Sequence, residues 1–104
     1  MTGVRPPQSD GAILRAQPGV RVLVAEDDPV MLAMYRELLS EMGHMPICAT
    51  NGGEAWALYE RYHPPLVLLD VAMPVMTGLE ISQRIRGSQQ GLDTFILVIT
   101  GYDR

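Results

Sequence analysis

The sequence predicts an α/β domain built on a parallel sheet, and three observations carry that reading. Apolar runs of strand length alternate with helix-period segments from residue 20 to residue 100, the pattern of successive βαβ units. Helix-capping residues stand where each helical segment should begin. Two of the apolar runs, Val22-Leu23-Val24-Ala25 and Leu66-Val67-Leu68-Leu69, lead directly into carboxylates. With 104 residues the chain makes one domain at most, near the lower limit for a core without disulfides.

Arg21-Val22-Leu23-Val24-Ala25 is the first strand. Asp28 followed by Pro29 reads as an N-cap and a proline at the first helical position. The helix carries Val30, Met34, Leu38 and Met42 at a spacing of four, and Gly43 ends it. Pro46–Thr50 is a short, weak strand. Asn51 with Glu54 three residues on caps a second helix, with Ala55, Leu58, Tyr59 and Tyr62 on one face. Pro64-Pro65 stops it, and Leu66–Val71 is the third strand. Thr77 and Glu80 repeat the capping pair for a third helix, which holds Leu79, Ile81 and Ile85 and ends near Gly87. Phe95–Ile99 is the last apolar strand, reaching Thr100.

Composition narrows the function. The chain is 47% hydrophobic with a net charge of −4, which argues against a nucleic-acid surface of its own. No apolar run is long enough to span a membrane. Residues 1–19 are rich in Pro, Gly and Gln without apolar periodicity, so they read as a flexible N-terminal extension, with residues 20–104 as the domain. That extension lacks the apolar stretch of a signal peptide. Cys48 is the single cysteine and has no partner for an internal disulfide. A cytoplasmic module is the expectation. All eight basic residues are arginine, and lysine is absent.

In an open α/β sheet, ligands bind beyond the carboxyl ends of the strands. Adjacent first and third strands would bring Glu26, Asp27 and Asp70 into one small acidic pocket. Like charges so close are costly unless a cation sits among them, and oxygen-only ligands suit Mg²⁺. The pocket reads as a divalent-metal site with one carboxylate spare for chemistry.

The motifs, taken in order, resemble the receiver domain of two-component response regulators. They are Glu26-Asp27-Asp28-Pro29 after the first strand, Asn51-Gly52 opening the second helix, Leu68-Leu69-Asp70 closing the third strand, Met73-Pro74, Thr77-Gly78, and Val98-Ile99-Thr100. The resemblance implies a flavodoxin-like doubly wound sheet of strand order 2-1-3-4. It implies that Asp70 accepts a phosphoryl group from a sensor histidine kinase or a histidine phosphotransfer protein in a bacterial phosphorelay. It further implies that Mg²⁺ is held by Asp27, Asp70 and the backbone carbonyl of Ala72, with Glu26 at the position that holds the metal through water. Thr100 matches the hydroxyl that senses the phosphoryl group, and Pro74 and Gly78 shape the loop beside Asp70.

Two departures from the family pattern stand out. Receivers carry a lysine at the end of a fifth strand, and this sequence has none and ends four residues after Thr100. The fifth strand and last helices are therefore expected to be missing, a truncated receiver. Phe95–Ile99 would then be a bare sheet edge open to self-association. The expected function is a phosphoacceptor in signalling, not an enzyme. The alternative is a truncated receiver that binds partners without being phosphorylated. No nucleic acid or membrane partner is expected.

The remaining singular residues have plainer roles. Asp28 reads as an N-cap instead of a metal ligand, and Cys48 as a small buried strand residue. Trp56 reads as packing on the second helix. Met31, Met34, Met42 and Met45 read as core or near-core filling. His44 and His63 lie near helix ends as dipole partners.

Overall fold

A computed structural model describes residues 19–71, 73, 76–88 and 90–99. The elements run β1 (Arg21–Ala25), α1 (Pro29–Glu41), β2 (Met45–Ala49), α2 (Gly52–Tyr62), β3 (Leu66–Asp70), α3 (Gly78–Arg86), a 3₁₀ turn (Gln90–Asp93) and β4 (Phe95–Ile99). All strand pairs are parallel, in the order β2-β1-β3-β4. This is the doubly wound order that the sequence predicts. Among the described residues no fifth strand is present. Residues 1–18, most of the expected N-terminal extension, lie outside the described residues.

Local chemistry accounts for the helix starts. The Asp28 side chain accepts from the Val30 amide at 2.9 Å, with Pro29 opening α1. Asn51 accepts from the Glu54 amide at 2.8 Å, and Glu54 returns to the Thr50 amide at 2.7 Å. Thr77 and Glu80 form a reciprocal capping box. At the end of α2, His63 adopts the left-handed conformation (φ 44°) and its amide donates to the Tyr59 carbonyl, while its ring meets Tyr59 edge-on. It is a C-cap whose ring packs on the helix.

Strand alternation divides the core between two faces of the sheet. Leu23, Ala25, Ala49, Val67 and Leu69 face α2 and α3, where Ala55, Tyr59, Ile81 and Ile85 cover them. Val22, Val24 and Leu66 face α1, which supplies Leu32 and Leu39. Tyr59 reaches across to share a buried 2.7 Å hydroxyl hydrogen bond with Thr94, anchoring α2 to the entrance of β4. Trp56 stacks on Tyr59 and packs against the α2/α3 core, with the Arg84 guanidinium over its ring.

Three expectations are corrected here. Val30, Met34 and Leu38 are exposed, and so is Met45, so Met34 and Met45 do not fill the core. Leu32, Tyr35 and Leu39 form the inward stripe of α1 instead. The two apolar stripes both recur at helical spacing, four apart for Val30, Met34 and Leu38 and three then four apart for Leu32, Tyr35 and Leu39, and spacing alone does not say which stripe meets the sheet. Met31 and Met42 are half-buried. Cys48 is half-buried in β2, not fully enclosed. His44 is buried, and its Nδ1 accepts from the Val20 amide at 3.3 Å, which ties the entrance of β1 to the end of the α1–β2 turn.

Candidate functional site

The site forms where β1 and β3 end side by side. Register pairs Ala25 with Leu69, so Glu26 and Asp70 emerge as neighbours. Asp70 is itself the last residue of β3, paired with Ile99 of β4. The chain beyond each strand is held by backbone bonds: Glu26 N donates to Ala49 O at 3.0 Å, and Val71 N to Ile99 O at 3.1 Å. The cluster is thus built on strand ends, where backbone pairing limits drift.

Glu26, Asp27 and Asp70 each offer a carboxylate oxygen, and these atoms lie within 4.8 Å of one another. Glu26 and Asp70 are only 3% and 2% exposed, and Asp27 is half-buried. Two unit charges at that separation repel by about 3 kcal/mol at the effective dielectric of a protein site. Burial and this repulsion together make Glu26 hold its proton more tightly than a free carboxyl does. Burial pushes the Glu26 carboxyl from 4.5 up to about 7; the Asp28 amide opposes this, while the hydrogen bond and charge of Asp70 and a hydrogen bond with Asp27 reinforce it. The Asp28 amide donates to Glu26 Oε2 at 3.1 Å, fixing that carboxyl in the pocket. Asp28 itself points away to cap α1, as expected.

Gly78 completes the wall. Its amide donates to Val71 O at 3.2 Å, and a Cβ there would overlap the backbone carbonyl of Asp70. The Thr77-Gly78 pair therefore joins a capping box to a close approach at the acidic strand end. Glycine at 52 plays a similar part, since a Cβ would overlap Met76. Both Met73 and Met76 pack into the core beneath this rim. Ala72, Pro74 and Thr100, also assigned to the site from sequence, lie outside the described residues.

The donor set fits a hard divalent cation. Three carboxylates converge, two are removed from solvent, and Glu26 holds its proton more tightly than a free carboxyl does. A cation that prefers oxygen ligands would replace that proton.

A parallel α/β domain with a carboxylate cluster at the ends of its first and third strands is the architecture of a signalling receiver. Residues 22–104 match the family model of the response regulator receiver domain. The chain belongs to that family. It is 29% identical over 86 residues to the sensory transduction protein LytT of Oceanobacillus iheyensis, covering 81% of this chain and 35% of that protein. Among solved structures, the N-terminal receiver domain of a response regulator from Methanoculleus marisnigri superposes with a TM-score of 0.72 at 32% identity, over 78% of this chain and 66% of that one. The receiver domain of the sensor histidine kinase PA1611 from Pseudomonas aeruginosa superposes with a TM-score of 0.75 at 27% identity, over 79% and 67%. In that structure a magnesium ion is coordinated in the active-site cleft. The chain thus spans about a third of LytT and two thirds of the two solved receivers.

The expectation of a signalling module that is not an enzyme is corrected by these findings. The receiver fold and the Glu26–Asp27–Asp70 cluster are consistent with catalytic phosphotransfer or phosphatase activity by the domain itself. Among the described residues, no helix is long and apolar enough to cross a membrane.

Proposed function

We propose that residues 20–104 act as a phosphoacceptor in a bacterial two-component phosphorelay, with Asp70 as the acceptor. The donor is a phosphohistidine on a sensor histidine kinase or a histidine phosphotransfer protein. A carboxylate oxygen of Asp70 attacks phosphorus, the phosphorus–nitrogen bond breaks, and the imidazole leaves, giving an acyl phosphate. The observation that carries this reading is the convergence of Asp70 with Glu26 and Asp27 at the end of β3, all three within 4.8 Å. Likeness to a kinase-borne receiver supports a partner of the histidine-kinase type.

Mg²⁺ is the cofactor we assign to the cluster, with Asp27, Asp70, Glu26 and the Ala72 carbonyl as its holders. It would neutralise charge that otherwise sets a carboxylate against an anionic phosphoryl donor. Glu26 and its Asp28 amide bond hold the floor of the pocket, and the buried position of Asp70 limits the acyl phosphate's exposure to water. Thr100 is assigned the hydroxyl that bonds the phosphoryl oxygen. The cytoplasm is the compartment in which such a relay operates. Among the described residues β4 pairs only with β3 and carries exposed Phe95, and this edge is a candidate surface for self-association.

A second reading is that the same acidic cluster is kept without being used as a phosphoacceptor. On that reading the chain binds partners without being phosphorylated. Incubation with Mg²⁺ and acetyl phosphate separates the two. The phosphoacceptor gains the mass of one phosphoryl group, and Asp70→Ala does not. No adduct on a folded sample that gives a cooperative melt would transfer the assignment to the interaction module.

A further inference from the structure

The turn from β2 into α2 touches both halves of the acidic site without adding a carboxylate to it. Where the turn begins, Ala49 O accepts from the Glu26 amide at 3.0 Å, so β2 holds the chain as it leaves β1. Where it ends, buried Gly52 meets the stretch that leaves Asp70. A Cβ on Gly52 would overlap the backbone carbonyl of Met76 and crowd the Met76 Cβ. Among the described glycines only Gly43 has a positive φ. Gly52 therefore has no need of left-handed backbone; what the position needs is the absence of a side chain.

Neither side of this contact yields easily. On one side, Asn51 caps the first turn of α2 through the Glu54 amide at 2.8 Å. Ala55 and Tyr59 of the same helix are buried in the core, and Tyr59 is bonded to Thr94. On the other side, the stretch after Asp70 is tied at several points. Val71 N donates to Ile99 O at 3.1 Å, and Gly78 N returns to Val71 O at 3.2 Å. Met73 is buried, Met76 packs on the same core, and Gly78 lies against the Asp70 carbonyl. A side chain at position 52 must push Met76 away, and a displaced Met76 pulls on a stretch whose two ends meet at Asp70.

We propose that Gly52 is a positioning residue of the acidic site. By letting the Met76 backbone lie against the start of α2, it sets how Asp70 stands across from Glu26 and Asp27, and so how well the three carboxylates close on a cation. The inference rests on the assignment of Mg²⁺ to that cluster.

Two measurements on the full chain test it: calorimetric titration with Mg²⁺, and the backbone amide NMR signals of the metal-free protein. Gly52→Ala should weaken Mg²⁺ binding about tenfold, the size of effect expected of a group that holds a ligand in place. Without metal, it should shift the Val71 and Gly78 amide signals. Leu39→Ala truncates the core on the opposite face of the sheet; it should leave both amide signals in place and the affinity within about twofold. Asn51→Ala loosens the first turn of α2 without adding bulk and should weaken binding at least about threefold. If Gly52→Ala does not fold, Asn51→Ala takes its place in both measurements. Wild-type affinity in the variant would overturn the proposal. So would an equal loss in Leu39→Ala, which would make the effect one of stability alone. A wild type that takes up no Mg²⁺, or whose uptake survives Asp27→Asn, would sink the metal assignment by itself. The metal-free signals then decide: Val71 and Gly78 amides that do not move would refute the positioning role.

Discussion

Removing one negative charge from the acidic cluster should stabilise the metal-free protein, and the direction depends on pH. The Glu26 carboxyl is raised from 4.5 to about 7 in the folded state. The folded protein therefore holds a proton more tightly than the unfolded chain, and the stability this confers is complete below about pH 4.5. It is lost as pH rises through 7, because the unfolded chain then ionises Glu26 freely while the folded pocket resists. A shift of that size corresponds to at most about 3 kcal/mol. Glu26→Gln imitates the protonated acid: its amide oxygen can still accept from the Asp28 amide, and its NH₂ can donate towards Asp70. Urea denaturation in chelator should show the two proteins equally stable near pH 4.5. Near pH 8, Glu26→Gln should be the more stable by about 2–3 kcal/mol. Mg²⁺ at roughly ten times its dissociation constant should return about 1.4 kcal/mol to the wild type at pH 8, and less near pH 5.5, where the Glu26 proton competes. A Glu26→Gln protein that is less stable than wild type at pH 8, or a difference that does not change with pH, would refute the electrostatic account of this pocket.

Four further substitutions probe how the fold holds the site. Gly78→Ala should cost about 1–3 kcal/mol in denaturant melts, because its Cβ overlaps the Asp70 carbonyl, and the phosphoryl adduct should fall with it. Tyr59→Phe leaves the buried Thr94 hydroxyl without its 2.7 Å partner and should cost about 1 kcal/mol; an unchanged melt would deny that bond a part in stability. Leu39→Ala should cost about 2–5 kcal/mol as a buried truncation, whereas Leu38→Ala should change stability by less than about 0.5 kcal/mol. Equal costs at the two positions would mean that the facing of α1 is wrongly assigned.

The legible features are those set by near neighbours in sequence. Asp28-Pro29, Asn51 with Glu54, and Thr77 with Glu80 each announce a helix start because a side chain two or three residues away must satisfy a backbone amide. Strand limits differ by a single residue, with β2 at Met45–Ala49 and β3 at Leu66–Asp70. The convergence of Glu26, Asp27 and Asp70 was also legible, because the strand order implied by the resemblance to receivers sets the first and third strands side by side. The burial of His44 was not. Its role as acceptor for the Val20 amide joins residues 24 apart, which local pattern does not encode.

The sequence by itself determined the alternation of strands and helices, their caps, the strand order and the three acids that meet at the strand ends. The alternation and the caps follow from local backbone satisfaction, whereas the strand order, and with it the meeting of the three acids, is what the resemblance to receivers implies. Only the tertiary structure decided which stripe of α1 is core, since Leu32 and Leu39 fit over Val22, Val24 and Leu66 while Val30, Met34 and Leu38 remain outside. Only the tertiary structure decided the proton on Glu26 as well. That proton depends on how far two carboxylates are removed from water and how closely they approach, and neither quantity exists until the strands have packed.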